Sequence, residues 1–222
     1  MKQPILLGWS GGKDSCLALA ELSRQGQWHI VALVTTITEG YERVSMHGVR
    51  VELLRQQADS LGATLVEARI PPNASNLAYE ASLSQAVQPF LAQGVRHMAF
   101  GDLFLEDIRR YRESLLARWG LQAVFPLWGR DTTLLSRQFI QQGFRALIVC
   151  VDPQQVPPAL CGRPYDLTFL SDLPPTADPC GENGEFHTFV YDGPIFRYPI
   201  AIQRGALVQR QGLYFCDLLP HP

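Results

Sequence analysis

The stretch Gly8-Trp9-Ser10-Gly11-Gly12-Lys13-Asp14-Ser15 constrains what this chain can fold into more than any other. The apolar run before it, Pro4-Ile5-Leu6-Leu7, has the length of a buried strand, and Cys16, Leu17, Leu19, Ala20 and Leu22 after it recur at helical spacing as far as Gly26. The spacing predicts a strand, a tight loop and a helix. In that arrangement glycines let backbone N–H groups approach a ligand without a Cβ in the way, and the first helical turn offers unpaired donors at the positive end of its dipole. Such a loop is an anion site, read here as a phosphate site. It is not a Walker A loop, which has Ser or Thr directly after the lysine; here Asp14 follows Lys13 and Ser15 comes next.

The basic residues sharpen this reading. Lys13 is the only lysine apart from Lys2, so a chain that otherwise uses arginine keeps a compact ammonium where a phosphate point charge is wanted. A plain glycine turn would have little use for a lysine and an aspartate at its inner edge. Ser10 through Ser15 match all six positions of the Ser-Gly-Gly-Lys-Asp-Ser signature, and the stretch resembles the PP-loop ATP pyrophosphatases, which cleave ATP between its α and β phosphates.

Strand and helix patterns then alternate. Residues 29–34 read as a second strand, with Thr35 and Thr36 in the loop leaving it. Ligands of a parallel sheet lie at the carboxyl ends of its strands, so this loop is placed to meet adenine or ribose. Met46-His47-Gly48-Val49 opens a helix that ends near Leu61-Gly62; a lone His there is more often a surface or cap residue than a catalyst. A third strand spans 63–68 and a long amphipathic helix 76–93. A fourth strand, 95–100, ends in Gly101-Asp102, whose carboxylate is either a helix cap or a group for Mg²⁺ or a ribose hydroxyl. The helix that follows carries Arg109, Arg110 and Arg112, read as a solvated, salt-bridged face. Residues 123–128 form a fifth strand.

This pattern implies an α/β fold, a doubly wound parallel five-stranded sheet over 1–127 as the ATP-binding domain, with a second, smaller α+β domain over 128–222. In the latter, 131–142 reads as a helix, 145–151 and 186–191 as strands, and 199–210 with 213–218 as a hairpin turning at Gln211-Gly212. The most unusual stretch there is Gly181-Glu182-Asn183-Gly184-Glu185-Phe186-His187-Thr188, where glycines flank two glutamates whose carboxylates can converge.

Composition excludes several classes. A chain of 222 residues with 46% hydrophobic and 18% charged residues can bury a sizeable core, and its net charge of −2 supplies no general attraction to nucleic acid. No stretch reads as a membrane span or signal peptide, and a cytoplasmic protein is expected. The five cysteines, Cys16, Cys150, Cys161, Cys180 and Cys216, contain no Cys-x-x-Cys pair, which argues against a zinc ribbon or a disulfide framework.

Taken in order, Ser10–Ser15, Met46–Val49, Phe100-Gly101-Asp102, Arg109–Glu113, Pro126-Leu127-Trp128 and Gly181–Thr188 resemble the diphthine–ammonia ligase family over nearly the whole chain. The resemblance implies an adenine nucleotide alpha hydrolase-like (HUP) fold. It also implies a reaction in which ATP adenylates a diphthine-like carboxylate and ammonia displaces AMP. On this reading Ser10, Gly11, Gly12, Lys13, Asp14, Ser15, Thr35, Thr36, His47, Gly101 and Asp102 hold the nucleotide, and Asp14 and Asp102 hold Mg²⁺. Lys13, Glu182, Glu185 and His187 do the chemistry, with the glutamates binding and deprotonating ammonium. The partners implied are ATP, ammonium and an unidentified carboxylate acceptor, for which a protein side chain is one candidate, with a homodimer left open. Two other readings stay open: a nucleotide sensor that binds ATP without turnover, and a tRNA-modifying PP-loop enzyme, which would want an RNA surface and paired cysteines.

Overall fold

A computed structural model describes all residues except Met1, Met46 and Pro222, so the first residue of the Met46–Val49 motif lies outside the described residues. The first sheet is built from β1 (Gln3–Gly8), β2 (Trp28–Thr38), β4 (Leu65–Ile70), β5 (His97–Ala99) and β6 (Gln122–Val124), parallel throughout in the order β4-β2-β1-β5-β6. A two-residue strand, β3 (Arg43–Val44), pairs antiparallel with the end of β2. The chain runs outward from β1 through β2 to β4 and then returns to the other side of β1. The crevice at the carboxyl ends of β1 and β5 is therefore the switch point, the place where such sheets bind ligands.

Side-chain alternation along β1 explains the two covered faces. Ile5 and Leu7 pack with Cys16, Leu17 and Leu22 of α1 (Lys13–Gln25) and with Leu53, Leu54 and Ala58 of α2 (Val51–Leu61). Leu6 packs on the opposite face with Leu83 and Val87 of α3 (Asn76–Ala92) and Leu115 and Leu116 of α4 (Glu106–Arg118). This is the doubly wound arrangement the strand and helix pattern predicts.

The second sheet has four antiparallel strands in the order β8-β7-β10-β9, from β7 (Arg145–Val151), β8 (Phe186–Asp192), β9 (Ile202–Arg210) and β10 (Leu213–Pro220). The β9–β10 turn falls at Gln211 and Gly212, both with positive φ, as the twist of a two-residue hairpin requires. Two helices accompany it, α5 (Thr132–Gln141) and α6 (Leu167–Asp172). Phe139, Phe169, Phe186 and Phe189 of this half belong to the same buried cluster as Leu7 and Leu54 of the first sheet, so one apolar core spans both sheets.

Two expectations change. β2 runs on to Thr38 because Val34, Thr35, Thr36, Ile37 and Thr38 are all β-branched and pair with β4; Thr35 and Thr36 sit in a strand rather than in a loop. The second helix starts at Val51 rather than at the His47 motif, of which His47, Gly48 and Val49 form the return from β3. In the proline-rich segment 153–179, α6 forms behind an Asp166 cap whose carboxylate accepts the Phe169 N–H at 2.8 Å.

Candidate active site

A cavity of about 590 Å³ opens at the switch point. The Ser10–Ser15 loop, Thr35 and Thr36 of β2, the turn carrying His47, Gly101-Asp102 after β5, and Gly181 to Thr188 all border it. Residues spread over most of the chain thus meet in one place. Among the residues named above, Gly11, Gly12 and Glu185 do not line the cavity.

The phosphate loop takes its shape from distant segments. Gly11 has φ +74°, and a Cβ there would lie 2.6 Å from Oε1 of Gln57, so both its backbone angle and its neighbour require glycine. The Gly11 carbonyl accepts the Val190 N–H of β8 at 2.9 Å, and the Lys13 N–H donates to Thr188 Oγ1 at 3.0 Å. Ser10 Oγ accepts the Gly12 N–H at 3.2 Å, and Ser15 Oγ donates to the Gly12 carbonyl at 2.9 Å. The Gly12 and Lys13 amides are therefore capped by hydroxyl oxygens, which an anion would have to displace.

Lys13 is 3% exposed, and its ammonium donates to Asp14 Oδ2 at 2.8 Å and stands 5.6 Å from the Phe186 ring centre. Burial works against its charge, but the Asp14 carboxylate beside it, with Glu182 further off, raises its pKa above the usual lysine value. Asp14 Oδ1 is buried with no hydrogen-bond partner. Gly101 backs this pair so closely that a Cβ would meet the Asp14 backbone at 2.8 Å.

Asp102, the other carboxylate read as a metal ligand, is engaged otherwise. Arg112 pairs with it at 2.7 Å through Nε and at 3.1 Å through Nη2, and lies 4.1 Å from the Phe100 ring centre. Asp102 is thus ion-paired within the β5–α4 turn, with Oδ1 hydrogen-bonded and Oδ2, though close to Arg112 Nε, buried without a hydrogen bond. Among the described residues no three His, Cys, Asp or Glu side chains converge as a metal cage. The arginine run also departs from a uniform solvated face, since Arg109 stacks 4.7 Å from the Trp128 ring centre while Arg110 pairs with Asp107 in solvent.

The two glutamates separate sharply. Glu182 lines the cavity, accepts the Leu103 N–H at 2.7 Å, and is pushed up to about 7 by burial, with Asp14 adding to the effect and the Leu103 N–H opposing it. Glu185 is 1% exposed and turns inward, where it accepts the Asp178 N–H at 2.8 Å, the Asn183 N–H at 2.9 Å and the Asn183 side-chain amide at 3.0 Å. Its acceptor sites are filled by its own loop, so the expectation that it handles ammonium gives way to one of holding the loop that presents Glu182.

His187 and His47 stack with ring centres 4.4 Å apart. Burial, then Lys13, pushes His187 down to about 4, and burial with His187 and Lys13 pushes His47 well below its usual value. Both imidazoles are neutral at pH 7, and His187 is a weak base there. Thr35 Oγ1 and His47 Nδ1 are buried without partners and border the cavity, two unfilled polar groups for a ligand to meet. Sequence reasoning passes over Trp9, Gln57 and Thr188. The signal for Gln57 was its position on the buried stripe of α2, three and four residues after Leu54 and Leu53.

The parallel sheet with its phosphate loop at the β1/β5 switch point defines an adenine nucleotide alpha hydrolase-like fold. The chain belongs to the diphthamide synthase family: residues 1–123 match the profile described as diphthamide synthase N-terminal domain, and residues 131–217 the diphthamide synthase C-terminal domain. It is 27% identical over 219 residues to a Danio rerio protein named diphthine–ammonia ligase, covering 87% of this chain and 84% of that one. A Rattus norvegicus protein of the same name is 25% identical over 224 residues, covering 90% and 82%. One from Bos taurus is 31% identical over 110 residues, covering 47% and 41%. Among the described residues no helix is long and apolar enough to cross a membrane.

Proposed function

We propose that this chain is an ATP-dependent ligase that turns a diphthine-like carboxylate into its amide, releasing AMP and pyrophosphate. The observation that carries the reading is a buried lysine in a glycine-rich loop facing, across one cavity, a glutamate that titrates near neutrality. The names borne by the relatives in zebrafish and rat support it.

Residues 1–127 supply the nucleotide site and 128–222 the nitrogen chemistry. The acceptor carboxylate attacks the α-phosphorus, the bond to the bridging oxygen breaks, and pyrophosphate leaves. Lys13, with the Gly12 and Lys13 amides once Ser10 and Thr188 release them, stabilises the charge on the leaving phosphates. Thr35 and His47 meet the nucleoside with their unfilled polar atoms. The fit to Mg²⁺ is that of one carboxylate plus phosphate oxygens, the usual mode for this ion, and Asp14 Oδ1 would hold it; the ion supplies charge neutralisation there. Glu182 binds ammonium and takes a proton from it. Ammonia attacks the acyl carbon as the C–O bond to AMP breaks, and the second proton leaves with solvent. Glu185 holds the loop on which Glu182 sits.

Incubation with ATP, ¹⁵N-ammonium and diphthine-bearing or other carboxylate acceptors tests the reading. Labelled amide with stoichiometric AMP and pyrophosphate is expected. ADP and phosphate as main products, or ATP binding with no AMP under any acceptor, would overturn it, the latter in favour of a nucleotide sensor.

A further inference from the structure

Gln57 is fully buried, 0% exposed, and every hydrogen-bonding group of its carboxamide is used. Its Oε1 accepts the Trp9 indole N–H at 3.0 Å, and its Nε2 donates to the Gly11 carbonyl at 3.0 Å and to the Val190 carbonyl at 2.6 Å. The indole can only donate and the carbonyls can only accept, which fixes which end of the carboxamide is oxygen. A side chain with one acceptor and two donors in a plane is what these three partners require, and of the twenty residues only Asn and Gln offer it.

The three partners lie 48, 46 and 133 residues from Gln57 in the chain. Trp9 and Gly11 belong to the phosphate loop, and Val190 is two residues from Thr188, whose hydroxyl caps the Lys13 N–H. The Val190 N–H also donates to the Gly11 carbonyl, so Gly11 receives both members of the clamp. We propose that Gln57 is a positioning residue of the nucleotide site, setting the spacing between the phosphate loop and β8 and hence the aim of the Gly12 and Lys13 amides. It touches no substrate; it acts through Gly11 and Val190. The proposal rests on the phosphate loop being the ATP site, but the clamp itself is a property of the ligand-free protein.

Gln57→Glu keeps size and the acceptor for Trp9 while setting a carboxylate against two carbonyls. Trp9→Phe is milder and removes only the donor that orients the carboxamide. Two measurements are made on each. In the ligand-free protein, hydrogen exchange of the Gly12, Lys13 and Val190 amides is expected to speed up about tenfold or more in Gln57→Glu, and less in Trp9→Phe, with the amides of β4 and β6 unchanged. Unchanged exchange at these three amides in Trp9→Phe, and in Gln57→Glu where it folds, overturns the clamp. ATP affinity of the folded protein, measured by titration well below its melting temperature, is expected to fall about 10- to 100-fold in Gln57→Glu. A purely structural glutamine would lower the melting temperature and leave this affinity within about twofold, which also overturns the positioning role. Wild-type protein that binds no ATP while the exchange result holds would instead remove the ligase reading and leave the clamp.

Discussion

The two loops that border the cavity are held in different proportions from within and from outside. The Ser10–Ser15 loop has bonds of its own through Ser10 and Ser15 but is tied across the fold by Gln57 of α2 and by Thr188 and Val190 of β8. The loop from Asp178 to Glu185 is held largely by its own carboxylates: Glu185 collects N–H groups from Asp178 and Asn183, and Asp178 accepts from Cys180 and Glu182 at 3.2 and 3.0 Å, while Tyr165, Asp152 and Leu103 tie it to its surroundings. A loop that closes on its own carboxylates can present one of its acids, Glu182, to the cavity as a rigid unit. A loop braced by other elements can be re-aimed when they move. A ligand that must displace two capping hydroxyls is suited to the second kind, and a proton acceptor needing a fixed pKa to the first.

The comparison breaks first at Glu182. Glu182→Gln is expected to cut amide formation about 10²- to 10⁴-fold, the range of general-base loss, while ATP affinity stays within a few-fold. In the wild type the same residue gives amide formation a pH dependence: the base must be deprotonated, so the rate rises through about pH 7 and is lost below it. Assays of ¹⁵N-amide yield across pH check both, and a flat profile between pH 6 and 8 would take the base role from Glu182.

Lys13→Ala tests the braced loop. A charge-assisted phosphate contact contributes about 1.5–3 kcal/mol, so ATP affinity of the folded variant should fall about 10- to 150-fold, with some loss of melting temperature because Asp14 is left without its partner. Unchanged ATP affinity would remove the phosphate site.

Glu185→Gln sharpens the contrast by attacking the self-held loop. Exchanging a carboxylate that accepts three N–H bonds for an amide should cost about 1–3 kcal/mol of stability, read by denaturant titration. ATP affinity should barely change, since the other loop does not depend on it. A variant of wild-type stability with lost amide formation would restore the catalytic role first expected of this residue.

The smallest effect is expected at Asp217 of β10, which ties the second sheet to the first through Arg50 at 2.7 Å and Arg43 at 2.9 Å. Burial would raise its pKa, but the two guanidinium hydrogen bonds outweigh it and hold the carboxyl below its usual value. A depressed folded pKa means the contribution is full above the unfolded carboxylate range and is lost as pH falls through the folded value. Asp217→Asn should cost about 1 kcal/mol or less at pH 7, and the difference from wild type should vanish in strong acid.

The self-held and braced loops were unequally legible. Ser10–Ser15 announced itself because phosphate loops need glycines and a cation at set positions, and the five parallel strands followed from apolar runs alternating with helical spacing. That Glu182 rather than Glu185 faces the cavity could not be read from the chain, because it depends on the backbone at Gly181 and Gly184, both with positive φ. Gln57 was overlooked since glutamine on a helix reads as surface, and only its place on the Leu53, Leu54, Ala58 stripe marks it as buried. Helix α6 was lost among prolines, where a six-residue helix has too few turns to show a period.

The clamp around Gly11 also bears on how the protein comes into being on the ribosome. The parallel sheet is complete once β6 has emerged, yet the Lys13 amide finds its partner 175 residues later, at Thr188. Contacts of such separation close slowly, after local structure has formed. A nascent chain that has made only its first sheet therefore carries a phosphate loop braced by Gln57 alone, and its nucleotide site takes the described shape only when β8 is synthesised and docked.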